Sequence, residues 1–229
     1  MFITNSEMKR LADAIEEHLR RMPFIEEAMA EGLINLAALA RRIQPFLERQ
    51  TGKPARHAAI LMALHRRNAS PLLHITKSIR EATAKLGDIL VRSNLEVWSF
   101  VPSGNLMARI RQTLDSVLQV QPAFYAFSQG IYETSMIISE HLAGSLESLI
   151  PIGQIRSRRT NLAAITILLP PGNTEMYGLY YFLLRALAWQ GINVVELVST
   201  ANEFSVVVDA DEVDKVVGIF MQVKRGEDL

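Results

Sequence analysis

The sequence predicts an α+β chain, with an all-helical N-terminal domain followed by two tandem units that combine helices with antiparallel sheets. Three observations carry this reading. From Ser6 to about Arg67 the apolar residues recur at helical spacing, punctuated by Gly and Pro. Beyond Asn68-Ala-Ser-Pro71 the composition shifts, and the order strand, helix, strand, strand, helix occurs twice. The 229 residues include no cysteine and are 49% hydrophobic, so stability must come from packed cores rather than disulfides.

Within the helical segment, Asn35 is a good N-cap, and Ile34 and Leu39 are placed to close a hydrophobic staple across it. Leu36, Leu39, Ala40 and Ile43 then line one face. Pro45 lacks the N–H that a helix interior needs, which predicts a kink or a split before Gln50. Gly52 suits the left-handed cap that ends such a helix, and Pro54 is placed to open the next.

The first repeat reads as a strand (Leu95 to Val101), a loop at Pro102-Ser-Gly104, a helix (Asn105 to Leu118), two strands (Ala123 to Ser128, Tyr132 to Ser139) and a helix from Glu140 to about Leu149. The second reads as a strand (Leu162 to Leu169), a loop at Pro170-Pro-Gly-Asn173, a helix (Glu175 to Gln190), two strands (Ile192 to Thr200, Phe204 to Val208) and a helix opening at Asp209-Ala-Asp-Glu212. A helix crossing an antiparallel sheet in this order implies two ferredoxin-like βαββαβ modules. The expected domains are residues 1–70, 71–155 and 156–229.

Twenty-four basic and 24 acidic side chains give zero formal charge, which excludes strong whole-molecule attraction to nucleic acid, anionic membrane or acidic substrate. The balance is uneven along the chain. Residues 1–80 hold 13 basic against 8 acidic side chains, and the remainder holds 11 against 16. The N-terminus has no apolar stretch of the secretory kind, and runs such as Ala58-Leu64 and Leu162-Leu169 are too short to span a bilayer, so a cytoplasmic protein without a membrane partner is expected.

Few residues look chemical. His18, His57, His65, His74 and His141 are not spaced as metal ligands, and the neighbouring acids at Glu16-Glu17, Glu26-Glu27 and Asp211-Glu212 point in different directions on a helix. No metal, cofactor or catalytic residue is expected. Arg41, Arg42 and Arg56 flank Gly52 with Arg49, Lys53, His57, Arg66 and Arg67, an arrangement a helix-turn-helix DNA reader could use, although an ordinary charged surface accounts for it better. Arg156-Ser-Arg-Arg159 reads as a solvated linker, and Tyr180, Tyr181, Phe182 and Trp189 read as core or interface residues.

The stretch from Asn161 to Lys224 resembles the ACT domain, especially the regulatory modules of aspartate kinases. It carries a helix opened by Gly178, then Gly191-Ile192-Asn193, a strand ending in Ser199-Thr200, a tight turn, and a strand ending in Val208-Asp209. The first repeat keeps the element order but has Val120-Gln-Pro122 in place of Gly-Ile-Asn, a degenerate version. The chain has no room for a kinase domain before residue 70. The resemblance implies a non-catalytic, allosteric regulatory protein, a homodimer, that holds a small effector, an amino acid, where modules meet. It places the contacts at Gly172, Asn173, Thr174, Glu175, Met176, Gly178 and Leu179 on one side and at Ile192, Asn193, Val194 and Val195 on the other. Two other readings stand beside it: a transcription regulator that binds DNA through its helical domain, and a non-sensing dimerisation or docking module.

Overall fold

Asn35 caps a helix as its sequence context requires. In the computed structural model its Oδ1 accepts hydrogen bonds from the N–H groups of Ala37 (3.0 Å) and Ala38 (3.1 Å), and Ile34 and Leu39 both pack into the local core. The structure describes residues 5–30, 32–66, 79–102, 104, 106–117, 123–148 and 150–227, and the chain divides into two compact units, residues 1–78 and 79–229. The expected linker near residue 70, Arg67, His74, Val120-Gln-Pro122 and the helix ends at Asn105, Leu118 and Leu149 lie outside the described residues.

The first unit holds α1 (Asn5–Arg20), α2 (Pro23–Ala30), α3 (Leu36–Thr51) and α4 (His57–Arg66). Their apolar stripes meet around Ile15, Leu19, Ile43, Leu47, Ile60 and Leu64. Two expectations are corrected here. α3 runs unbroken through Pro45; Pro45 and Arg41 are both exposed, so water can take the carbonyl bond that the proline cannot donate to. α4 opens at His57 rather than Pro54, because the Ala55 N–H is taken by Glu48 Oε1 (3.1 Å) and the first helical acceptor is the Arg56 carbonyl. Gly52 ends α3 in the left-handed region, at φ 66°.

His18 stacks on Phe46 at 3.9 Å between ring centroids. Burial, with the Arg21 charge as the smaller cause, holds its pKa below the ordinary histidine value. The folded state therefore binds fewer protons than the unfolded state, and stability falls as pH drops below about 6.5 toward the folded pKa. Urea titrations at pH 7.5 and 5.5 are expected to show this loss, and His18→Gln should reduce it; an unchanged pH response in the variant would contradict the assignment.

The second unit holds β1 (Ile89–Phe100), α5 (Leu106–Val117), β2 (Tyr125–Gln129), β3 (Thr134–Ser139), α6 (Ala143–Glu147), β4 (Ile155–Leu168), α7 (Leu179–Trp189), β5 (Glu196–Ser199), β6 (Glu203–Asp209) and α8 (Val213–Arg225). Short 3₁₀ turns precede α6, β4, α7 and α8. The strands form one six-stranded antiparallel sheet in the order β2-β3-β1-β4-β6-β5. The sequence predicts sheets in the plural; the difference lies in β1 and β4, both longer than expected. β1 begins at Ile89 rather than Leu95, and β4 begins at Ile155 rather than Leu162, so Arg156-Ser-Arg-Arg159 is strand and not linker.

These extensions cross over. Leu95–Phe100 of β1 pairs with β3 and with the first half of β4, whereas Ile89–Arg92 pairs with the second half of β4, which also pairs with β6. The hand-over is marked by two β-bulges around the Leu95–Leu162 pair. At each bulge an asparagine occupies the left-handed region, Asn94 at φ 56° and Asn161 at φ 58°, a conformation that asparagine tolerates better than other side chains bearing a Cβ. Gly87 lies tight against the end of β4: its N–H donates to the Leu168 carbonyl (2.8 Å), and a Cβ there would lie 2.7 Å from Leu168.

Side-chain alternation sends Phe204, Val206 and Val208 under α7 and α8, and Trp98, Phe100, Met136 and Ile138 under α5 and α6. The other face collects Leu95, Val97, Ile137, Leu162, Ala164 and Val207 in a separate buried cluster. That face closes on itself. β3 and β5 are four strand spacings apart, about 19 Å in a flat sheet, yet Ser135 Oγ donates to Glu196 Oε2 at 2.7 Å. The sheet therefore folds back with its helices outside and this cluster between its halves.

Candidate functional site

The loop from β4 to α7 is shaped by two glycines in the left-handed region, Gly172 (φ 79°) and Gly178 (φ 85°). Between them Asn173–Glu175 form a 3₁₀ turn, so the expected helix start at Glu175 moves to Leu179. Asn173 is buried and ties the loop to the β5–β6 hairpin: its Nδ2 donates to the carbonyls of Pro170 (3.0 Å) and Ala201 (2.7 Å). Two carbonyl acceptors fix the amide orientation, which leaves the buried Oδ1 without a hydrogen-bond partner. Tyr180 reinforces this end of the unit, stacking on Phe204 and sharing a 2.8 Å hydrogen bond with Ser199.

The N-terminus of α7 is open. Gly178 is its N-cap and has no side chain to accept from the first-turn N–H groups, so no side-chain cap offsets the positive end of the helix dipole there. Thr174 and Glu175 are exposed, Met176 is partly buried against the core, and Leu179 is a core residue. Gly172, Asn173 and Gly178 shape this end; Leu179 contributes only its backbone.

Ile192, Asn193, Val194 and Val195 lie elsewhere. The Ile192 N–H donates to the Leu187 carbonyl (3.0 Å), which sets this segment at the C-terminal end of α7. An eleven-residue helix is about 16 Å long, so one copy does not bring the two expected sides together. Ile192 is buried, Val194 and Val195 are partly buried, and Asn193 is exposed. Val195 belongs to the inner cluster, as do Phe124 and Ala126 from the first repeat.

Other sequence candidates resolve into structure. Arg156 pairs with Glu133 (3.1 Å), Arg158 with Glu96 (2.7 Å) and Arg159 with Asp209 (3.1 Å), so this basic run stitches strands and is not a solvated linker. The Glu96 hydrogen bond is the largest factor holding the Arg158 pKa above the ordinary arginine value, opposed by burial. Arg41, Arg42 and Arg56 are exposed on α3 and in the turn before α4. Glu16 and Glu17 pair with Arg20 and Arg21 along α1, as a solvated helix face does. Among the described residues no group of three His, Asp or Glu side chains is placed to hold a metal, and no helix is long and apolar enough to cross a membrane.

Comparison with known proteins bears on the fold. No protein-family model matches the chain, and no curated protein matches it. Among solved structures it is similar to the ligand-free regulatory subunit of aspartate kinase from Thermus thermophilus, with 14% identity over 60% of this chain and 97% of that one, at a TM-score of 0.50. The regulatory subunit from Thermus flavus is 12% identical over 60% of this chain and 97% of its own, at a TM-score of 0.49. The aspartate kinase of Clostridium acetobutylicum is 14% identical over 59% of this chain but only 34% of its own, at a TM-score of 0.47. Over 60% of its length this chain has the ACT-type fold of an aspartate kinase regulatory subunit.

Proposed function

We propose that this chain is a non-catalytic regulatory protein that senses a small molecule, an amino acid, through two tandem ferredoxin-like modules behind an N-terminal helical domain. The strand pairings support the modular reading. β1 after Asn94, with α5, β2, β3, α6 and the first half of β4, follows the order βαββαβ; the rest of β4, with α7, β5, β6 and α8, is completed by Ile89–Arg92. The fold shared with a regulatory subunit supports a regulatory role.

One observation carries the ligand reading: the orphaned, buried Oδ1 of Asn173 lies in the same loop as the uncapped N-terminus of α7. An unpaired buried acceptor costs about 1–3 kcal/mol. An amino acid offers the complement of both features, a carboxylate for the helix N–H groups and an ammonium donor for the loop's oxygens. Because Ile192–Val195 lie at the far end of α7, they complete the site only where the loop of one module meets that segment of another. Ligand binding would then bias how modules associate, which is the coupling a regulator needs.

Thermal melting of the full chain against the twenty amino acids tests this. A ligand present at a hundred times its dissociation constant should stabilise by about 2.7 kcal/mol, and Asn193→Ala, an exposed position, should remove the response. No shift with any of the twenty would end the amino-acid reading.

A further inference from the structure

The arginines of this chain fall into two groups, and the sensing function uses neither. On α1, Arg20 and Arg21 pair with Glu16 and Glu17, and in the second unit Arg156, Arg158 and Arg159 pair with carboxylates. α3, α4 and the turn between them differ. Residues 36–66 hold six basic side chains and one acid, Glu48, and Glu48 Oε1 already accepts from Gln44 Nε2 (3.2 Å) and the Ala55 N–H (3.1 Å). Arg41, Arg42, Arg49, Arg56 and Arg66 are all exposed. Among the described residues none of these five has a hydrogen-bond, ion-pair or aromatic partner. An ordinary solvated face carries pairs four residues apart, as α1 does; this surface is left unneutralised.

We propose that α3 and the turn after it bind the phosphate backbone of duplex DNA. At about 100° per residue, Arg41 stands on one flank of the outer face of α3 and Arg42 and Arg49 on the other, with the exposed Ala38 and Pro45 between them. Cations on both flanks of a strip of small residues suit a major groove about 12 Å wide with a phosphate wall on either side. Arg41 and Arg49 lie about 12 Å apart along the helix axis, the span of three or four phosphates of one strand at about 3.4 Å each. Five of the six cations are arginines, whose planar forks pair with two phosphate oxygens at once. A membrane surface would require large apolar side chains beside the cations, and the outer face of α3 has none. Single-stranded nucleic acid would require an exposed ring for base stacking, whereas Phe46, the one Phe, Tyr or Trp in residues 36–66, is stacked on His18. Zero net charge on the whole chain does not oppose this contact, because at physiological salt charges act over about 8 Å. The proposal goes beyond the amino-acid reading and does not rest on it.

Fluorescence anisotropy of the full chain with a labelled duplex of about 24 base pairs, with no amino acid present, tests it. Neutralising about four phosphates predicts a slope of about −4 in log affinity against log salt, so raising salt from about 50 to 200 mM should weaken binding about a hundredfold or more. Arg41→Ala combined with Arg42→Ala should flatten the slope by about two and weaken two unrelated duplex sequences equally. Arg20→Ala combined with Arg21→Ala removes the same charge from the paired face of α1 and should leave the slope unchanged. All four side chains are exposed, so circular dichroism should not change in either variant. No binding at about 50 mM salt with protein at about 100 µM, the weak end of non-specific affinity, would overturn the proposal. So would an equal loss in the α1 variant, or binding to phosphatidylserine vesicles or polyglutamate in place of the duplex, which would make the patch a membrane or protein contact.

Discussion

Glu96→Ala is expected to destabilise the second unit by about 3 kcal/mol, read in urea titrations as a lower midpoint with an unchanged slope. Glu96 is only 2% exposed, and its two oxygens are fully engaged. Arg158 donates to both, Nε at 2.7 Å and Nη2 at 2.9 Å, and Trp98 Nε1 donates at 2.6 Å. The guanidinium also lies over the Trp98 ring, 4.8 Å from its centroid. Removing the carboxylate leaves a buried indole N–H without an acceptor and leaves the Arg158 cation to Glu147 at 3.3 Å. Arg158 is about a third exposed, which puts the cost at the lower end of the 3–5 kcal/mol typical of broken buried pairs. Glu96→Gln keeps an acceptor for Trp98 and should cost about half as much. A Glu96→Ala protein within 1 kcal/mol of wild type would mean that this network does not hold the first repeat together.

Leu162→Ala should cost about 2–5 kcal/mol, the range for a leucine truncated in a core that cannot fully collapse. Its importance lies in where Leu162 points. It belongs to the inner cluster on the face opposite the helices, yet it is fully buried. Only a sheet folded back on itself buries it there, with Ile137 from one half and Val207 from the other. An open sheet would leave this leucine on a wet surface, and its truncation would then cost well under 1 kcal/mol. Differential scanning calorimetry separates the two cases, since 3 kcal/mol corresponds to about 6–12 °C in a unit of this size.

Periodicity and punctuation made most of the elements legible. The α3 cap at Asn35, the glycine stop at Gly52, the α7 stop at Gly191 and the strand–helix–strand–strand–helix order can all be read from local residues, because capping and alternation are local physics. The outer halves of β1 and β4 are different. Residues 156–161 are exposed on both faces of β4, so they lack alternation, and only pairing with β1 makes them strand. The asparagines that seem to end these strands are in fact bulge residues inside them. A signal for this exists in the sequence: Arg92-Ser-Asn-Leu95 and Arg159-Thr-Asn-Leu162 are a repeated motif, each followed by a Pro-x-Gly-Asn loop at residues 102–105 and 170–173.

The candidate site was legible only in part. Gly172 and Gly178 can be read from the sequence as turn residues, but the separation of Ile192–Val195 from that loop depends on the direction of α7. Sequence spacing does not reveal it. Tyr181 and Trp189 show the same limit, because helical spacing alone leaves core and interface open, and only the structure shows that both are exposed.

Amide hydrogen exchange on the full chain, with and without the amino acid that most raises its melting temperature, tests the sensing site most directly. The proposed function predicts slowed exchange at the first-turn amides of α7, residues 179–181, and across 172–178 and 192–195, with little change in α1 to α4. Protection confined to the helical unit, or no change at the α7 N-terminus with a ligand that binds, would contradict it.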